Sequence, residues 1–410
     1  MRERAARHAD QPILRVRVRA GILPPRRAAT VEQMRTYLDH NAGAPLRAET
    51  REAMLAWLGP PANASSAHRE GARARSAIEA ARAEVAALLG AAPAEIVFTS
   101  GATEANNLAL RGALPPGRGL VTTAIEHASV LETARALAAG GTPLVEVGVD
   151  VEGRVAAAEV VAAGAAAALV SVGLANGEVG SLAPVEEIAA GLAGRGVLLH
   201  TDAAQAAGRV PLDVRALGVD LLSLSSHKLG GPPGAGALWV RRGVRLAAQL
   251  TGGPQERGRR AGTENVPAIV GFGVAARLAR VEQADVATRT AALVERLWQG
   301  LRSSVPDVLR NGPAAAPRLP NTLNLSFPGC AGESLLVLLD LAGIAASLGS
   351  ACAAGSTEPS HVLRAMGRER AAARAGLRLS LGPTTTAADV DRVLAVLPGL
   401  VRQVRAGAAA

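Results

Sequence analysis

Leu221-Leu222-Ser223-Leu224-Ser225-Ser226-His227-Lys228-Leu229-Gly230-Gly231 is an apolar run that discharges into polar residues and then glycines. Leu221–Leu224 has the length and composition of a buried strand, with a polar carboxyl end. The form recurs upstream. Val197–His200 leads into Thr201-Asp202-Ala203-Ala204-Gln205, Leu120–Thr123 into Ile125-Glu126-His127-Ala128-Ser129, and Glu95–Thr99 into Ser100-Gly101-Ala102-Thr103. Pro143–Val147, Ala168–Val172 and Gly236–Val240 complete seven strand patterns. Helical patterns lie between them: Arg69–Leu89 with Gly90 as its stop, Glu104–Arg111, one from about Ser129 and one from Val185. Strands alternating with helices predict an α/β fold with a mainly parallel seven-stranded sheet, and a ligand site at the strands' carboxyl ends.

From Thr263 the pattern changes. Two helices are expected, Val266–Val281 and Val286–Arg302, then a strand at Thr322–Ser326, a helix from Glu333, strands at Ile344–Ala346 and Arg378–Leu381, and a final helix after Thr386. Thr386 and Asp389 have the spacing of a capping box. The expected organisation is a large domain over 47–285 and a smaller α+β domain from 34–46 and 286–410. Residues 1–33 form a tail outside the fold, with eight Arg against Glu3, Asp10 and Glu32. Met34 opens the first convincing segment.

Composition narrows the function. Aromatic residues are 2% of the chain, which argues against base-stacking platforms, and the net charge of +9 is concentrated in the first 33 residues. No basic stripe marks the rest, so no nucleic-acid partner is expected. The Ala-rich Val155–Val172 run is interrupted by Glu159 and Gly164, so no membrane role is expected. With no signal peptide in view, the expected address is cytoplasmic. Cys330 and Cys352 lack a metal-binding spacing, and no metal is expected.

Of 44 basic residues, 43 are Arg; the one lysine is Lys228. An amine can lose its proton and attack a carbonyl, whereas a guanidinium stays charged. A lysine kept at a strand's carboxyl end therefore points to a Schiff base with pyridoxal 5'-phosphate. Four further pieces suit that cofactor. The Gly101-Ala102-Thr103 turn offers backbone N–H groups, a helix N-terminus and a hydroxyl to a phosphate. Asp202 can pair with a pyridinium nitrogen, although an ordinary helix cap reads the same way, and Gln205 is placed for the phenolic oxygen. Ser225 and His227 suit the phosphate. His127 suits ring stacking and proton transfer, though a lone histidine is also a common structural residue.

Together these stretches resemble the cysteine desulfurases of the fold-type I, class V aminotransferase-related family. The matches are Tyr37-Leu-Asp-His-Asn-Ala42, Phe98-Thr-Ser-Gly-Ala-Thr-Glu-Ala-Asn-Asn107, Ala124-Ile-Glu-His-Ala-Ser129, Thr201-Asp-Ala-Ala-Gln205, Ser225-Ser-His-Lys228, Arg260-Ala-Gly-Thr-Glu-Asn265 and Gly349-Ser-Ala-Cys352, in the family's order. The resemblance implies that Lys228 carries the cofactor and that Asp202 and Gln205 contact its ring. It implies that His127 stacks on the ring and that Thr103, Ser225 and His227 hold the phosphate. It also implies that Thr263 completes the phosphate site across a homodimer interface. Asn41 and Arg378 are implied at the substrate, with Arg378 on its carboxylate. Cys352 is implied as the nucleophile that takes sulfur from L-cysteine and passes it to an acceptor protein such as an iron–sulfur scaffold. Its Gly- and Ser-rich surroundings suit a loop that moves, ending at Pro359-Ser360 where a helix starts. Its length resembles the desulfurases that serve scaffold or acceptor proteins. Gly177 stands where the family has a second Asn, so Gln205 acts alone or Asn176 substitutes. Gly43-Ala44 replaces the paired Thr, and Leu348 a common Ser. The alternatives are another enzyme of the family, an aminotransferase or selenocysteine lyase, and a non-enzymatic protein, a sulfur-relay scaffold or a nucleic-acid binder using the Arg-rich tail. Iron–sulfur assembly, tRNA thiolation and DNA sulfur modification are the open destinations of the sulfur.

Overall fold

Seven short runs, nearly all buried, pair into the central sheet: β2 (Ile96–Thr99), β3 (Gly119–Thr123), β4 (Leu144–Val147), β5 (Ala167–Ser171), β6 (Leu198–Asp202), β7 (Leu221–Ser225) and β8 (Gly236–Val240), with β1 (Thr36–Tyr37) preceding them in the chain. The computed structural model describes residues 35–61, 63–348 and 359–408. The expectations for 1–33 and for Cys352 lie outside the described residues. In the sheet, β4, β3, β5, β6 and β7 run parallel in that order. Only β8 is reversed, sitting antiparallel between β7 and β2. Strands buried on both faces need a continuous apolar sequence, which Ala, Leu and Val supply here. The sheet is the predicted one, with ends within one or two residues of expectation, as Ile96–Thr99 for Glu95–Thr99 illustrates.

Helices cover it. Arg69–Leu88 buries Ala74, Ile78, Ala81 and Val85 at helical spacing. The Ala-rich run beyond Val155 is a helix, Ala157–Gly164, turning into β5. A second sheet joins β9 (Leu309–Asn311), β10 (Thr322–Ser326) and, after the short β11 (Ile344–Ala345), β12 (Gly376–Ser380) in the antiparallel order β12-β10-β9. It carries its own core around Leu323, Leu325, Phe327, Leu377 and Leu379. The β1 strand pairs parallel with β11, and Asp39 bridges to Ser380, so residues 36–41 lie against this second sheet.

One expectation is corrected. The two helices expected over Val266–Val281 and Val286–Arg302 are a single helix, Val266–Ser304. The Glu282-Gln283-Ala284-Asp285 stretch contains no Gly or Pro to stop it. The apolar face changes partner there: Ile269, Phe272 and Ala276 pack in the main core, and Val294, Leu297 and Leu301 in the second. Glu282 forms a two-pronged pair with Arg47, both bonds at 2.8 Å. The expected capping box is present, with Thr386 N–H donating to Asp389 Oδ2 at 2.9 Å and Asp389 N–H to Thr386 Oγ1 at 3.3 Å. The final helix follows as Ala387–Ala408. Among the described residues no helix is long and apolar enough to cross a membrane, and no group of His, Cys, Asp and Glu is placed to hold a metal ion.

Candidate active site

Parallel strands end together, so their polar tails converge. Asp202, the last residue of β6, is buried; its Oδ1 accepts from Ala204 N–H at 2.9 Å and its Oδ2 from Asn106 Nδ2 at 2.7 Å. Asn106 also donates to Ser129 Oγ at 2.8 Å, and Ser129 Oγ lies 2.8 Å from His127 Nδ1. Ser129 N–H donates to that same Nδ1 at 3.1 Å. Nδ1 is thus an acceptor, and the neutral ring carries its proton on Nε2. The pKa of His127 is lowered, chiefly by desolvation, with the charge of Asp202 opposing and that of Lys228 adding to the fall. Asn106 is a site residue that the sequence reading passed over: an Asn inside a helix gives no signal of which face it lies on.

After β7 the chain makes a single tight helical turn, Ser226–Lys228. Lys228 Nζ donates to Asn41 O at 2.6 Å and Ala42 O at 2.9 Å. Burial, then Arg209 and Arg378, pull its pKa down to about 8, with Asp39 and Asp202 opposing. Ser225 Oγ pairs with His227 Nδ1 at 2.8 Å, and desolvation holds His227 neutral with a pKa of about 4.

At the β2 end, Gly101 precedes the helix Ala102–Ala113, whose first turn holds Thr103 exposed. Glu104 accepts from Ser100 N–H at 2.8 Å and pairs with Arg260 at 2.8 Å. Arg260 lies three residues before Thr263, which is exposed. Asn176 donates to Ile125 O and accepts from Glu178 and Val179 N–H, so its side chain shapes its own turn. Gly177 lies against Gln205: an added Cβ would sit 2.6 Å from Gln205 Cδ. The Gly177 carbonyl accepts from Asn41 Nδ2 at 2.9 Å and Arg378 Nη1 at 3.2 Å. Arg378, in the second sheet, pairs with Asp39 at 2.7 Å.

Two buried acids went unsingled in the sequence. Desolvation raises Glu126 and Glu178 to a pKa of about 7 each. Glu126 accepts from Gly173 N–H, and its backbone carbonyl lies 3.0 Å from His361 Nε2. Ser347 exchanges backbone hydrogen bonds with Arg378, and Ser360 caps the helix His361–Ala365. The described residues flanking 349–358 are therefore tied to Arg378 on one side and to Glu126, next to His127, on the other. Cys330 is buried, its thiol pKa raised by desolvation.

The donor set fits pyridoxal phosphate. A carboxylate ends one strand and an amine of lowered pKa follows the next. The Gly101 turn leaves open space on its own Cα, while an added Cβ on Gly236 would fill the position of its backbone.

Comparison with known proteins agrees with this geometry. The sequence model of the aminotransferase class-V family matches residues 36–393. A cysteine desulfurase of Gluconacetobacter diazotrophicus is 47% identical over 376 residues, covering 90% of this chain and 94% of that protein. Cysteine desulfurase 2 of Trichormus variabilis is 44% identical over 375 residues, with the same coverage. A solved NifS-like protein superposes with a TM-score of 0.84 at 36% identity, covering 90% of this chain and all of that one.

Proposed function

We infer the reaction from a family membership: this chain belongs to the aminotransferase class-V family. Within it the chain is an L-cysteine desulfurase, releasing L-alanine and moving the substrate's sulfur onto a cysteine of its own. One observation carries the reading: the chain's only lysine follows the carboxyl end of a parallel strand, half-buried, with the charge of Asp202 bearing on it and a pKa of about 8.

Lys228 would carry pyridoxal phosphate, with Asp202 at its ring nitrogen and Gln205, or Asn176, at its phenolic oxygen. Gly101, Ala102, Thr103, Ser225 and His227 would hold the phosphate, together with Thr263 across a homodimer interface. When bound, the cofactor supplies an electron sink for the pair left by the substrate's α-proton. Arg378 holds the substrate carboxylate by its guanidinium fork, and Asn41 braces that wall. Lys228 Nζ, readily deprotonated, takes the α-proton. His127 would stack over the cofactor ring and return a proton from Nε2. The Cys352 thiolate attacks the substrate sulfur; the carbon–sulfur bond breaks, its electrons stay with carbon, and a proton completes alanine. A persulfide remains on Cys352. The anchoring of Ser347 and His361 beside site residues supports this role.

The persulfide passes to an acceptor protein such as an iron–sulfur scaffold, with a cytoplasmic address and without direct nucleic-acid contact. The domain division is 47–285 against 34–46 with 286–410. The test is alanine and sulfide release from L-cysteine with a reductant, for wild type and Cys352→Ser side by side. Equimolar products from wild type alone are expected. Products undiminished in Cys352→Ser would move the chain to a lyase that does not use this thiol, and none from wild type to another amine substrate.

A further inference from the structure

Arg209 is only 8% exposed, yet its three hydrogen bonds go to uncharged oxygens: Gln205 O at 2.6 Å, Gln205 Oε1 at 2.7 Å and His40 O at 3.3 Å. A buried guanidinium without a carboxylate at its fork is a costly arrangement. Its consequence is geometric. With Oε1 facing Arg209, the Gln205 amide must turn its nitrogen the other way, and Nε2 donates to Asn41 O at 3.0 Å. That carbonyl is the one that receives Lys228 Nζ at 2.6 Å. Room for the amide depends on Gly177, since an added Cβ would lie 2.6–2.8 Å from Gln205 Cδ, Nε2 and Cγ.

We propose that Arg209 is a positioning residue for Lys228: it locks the Gln205 amide so that Gln205 and Lys228 share the Asn41 carbonyl, and its charge disfavours a second cation there. The main-chain and side-chain oxygens of Gln205 are both taken by Nη1, and Nη2 reaches His40 from the same planar group. A lysine here would keep the charge and lose the fork. The charged and titratable groups that bear on Lys228 are Arg209 and Arg378, which disfavour its proton, and Asp39 and Asp202, which favour it. His127 and His227 also sense it, both with lowered pKa values.

The inference rests on Lys228 being the reactive amine, and a single-lysine chain makes that amine separately readable. Full-length protein freed of cofactor is trace-labelled with acetic anhydride from neutral to alkaline pH, and acetylation of the Lys228 peptide is followed by mass spectrometry. Wild type should titrate near 8. Arg209→Met should move the midpoint up by about one unit, roughly tenfold in proton affinity. Arg209→Lys keeps the charge and loses the fork, so it should shift the midpoint part of the way; a midpoint identical to wild type would reduce Arg209 to a charge and overturn its positioning role. Arg209→Gln, neutral but able to hydrogen-bond, serves if Arg209→Met does not fold, and should shift the midpoint likewise. An unmoved midpoint in a folded neutral variant overturns the proposal. Failure of the cofactor reading would appear elsewhere, as wild-type protein that gains no Lys228-dependent absorbance with pyridoxal phosphate.

Discussion

Gly236→Ala tests whether the Gly101 turn is held from behind by the sheet. Gly236 opens β8, paired with Thr99 of β2 on one side and Ser225 of β7 on the other. It therefore sits between the strand ends that launch the Ser100–Thr103 turn and the Ser225–Lys228 turn. An added Cβ would stand 2.5 Å from both Gly101 Cα and its carbonyl carbon, and 2.8 Å from Leu224 O. Non-bonded carbons rest at about 3.5–4.0 Å, so the shortfall is about 1 Å. All three atoms are backbone and cannot rotate aside; either β8 slips in register or the turn moves outward. Overpacking of this kind costs about 1–3 kcal/mol. For the proposed phosphate cradle, loss of one charged hydrogen bond, about 1.5–3 kcal/mol, would weaken the ligand by roughly 10- to 100-fold. The assay is a spectroscopic titration of full-length protein with pyridoxal phosphate for Kd, beside urea unfolding. Gly148→Ala, whose added Cβ meets nothing within 4 Å, is the control and should match wild type. Wild-type Kd and stability in Gly236→Ala would refute the reasoning.

Arg82→Met strands Glu256, only 7% exposed and bonded to Arg82 at 2.7 and 2.9 Å, and should cost about 3–5 kcal/mol by urea unfolding; adding Glu256→Leu should recover most of it. Glu178, raised to about 7, holds a proton in the folded state that the unfolded chain releases above its ordinary 4.5, so its stabilisation is complete below 4.5 and lost as pH rises through 7. Glu178→Gln should flatten that decline, read as urea midpoints on either side of the window. His200 runs the other way: held neutral with a pKa of about 4, it loses stability as pH falls from 6.5 through 4, and His200→Gln should reduce the acid sensitivity of the same midpoints. Arg378→Lys gives up the fork proposed to hold the substrate carboxylate and should raise KM for L-cysteine by roughly 10- to 100-fold, from about 1.5–3 kcal/mol for a charged hydrogen bond, with the smaller change in kcat.

Periodicity and strand-end chemistry made the central sheet legible from sequence. A parallel strand buried on both faces is largely apolar, so the polar residues at or just beyond its carboxyl end, Asp202, Ser225 to Lys228 and His127, stand out in the sequence. The lone lysine was legible for a chemical reason, since only an amine among the cationic side chains can act as a nucleophile. The 282–285 stretch misled because polarity marks a solvated helix turn as readily as a break.

The sequence by itself thus determined the layered architecture and set one amine at a strand's end apart from every other cationic side chain, because these depend on local composition and spacing. Only the tertiary structure decided which groups surround that amine. Asn41 and Lys228 are 187 positions apart, Asp39 and Arg378 are 339, and Arg209 reaches Lys228 through Gln205 and a carbonyl from neither segment. No spacing rule links such residues. The protonation states of Lys228, Glu126 and Glu178 follow from burial and through-space charge, which exist only once the chain has folded.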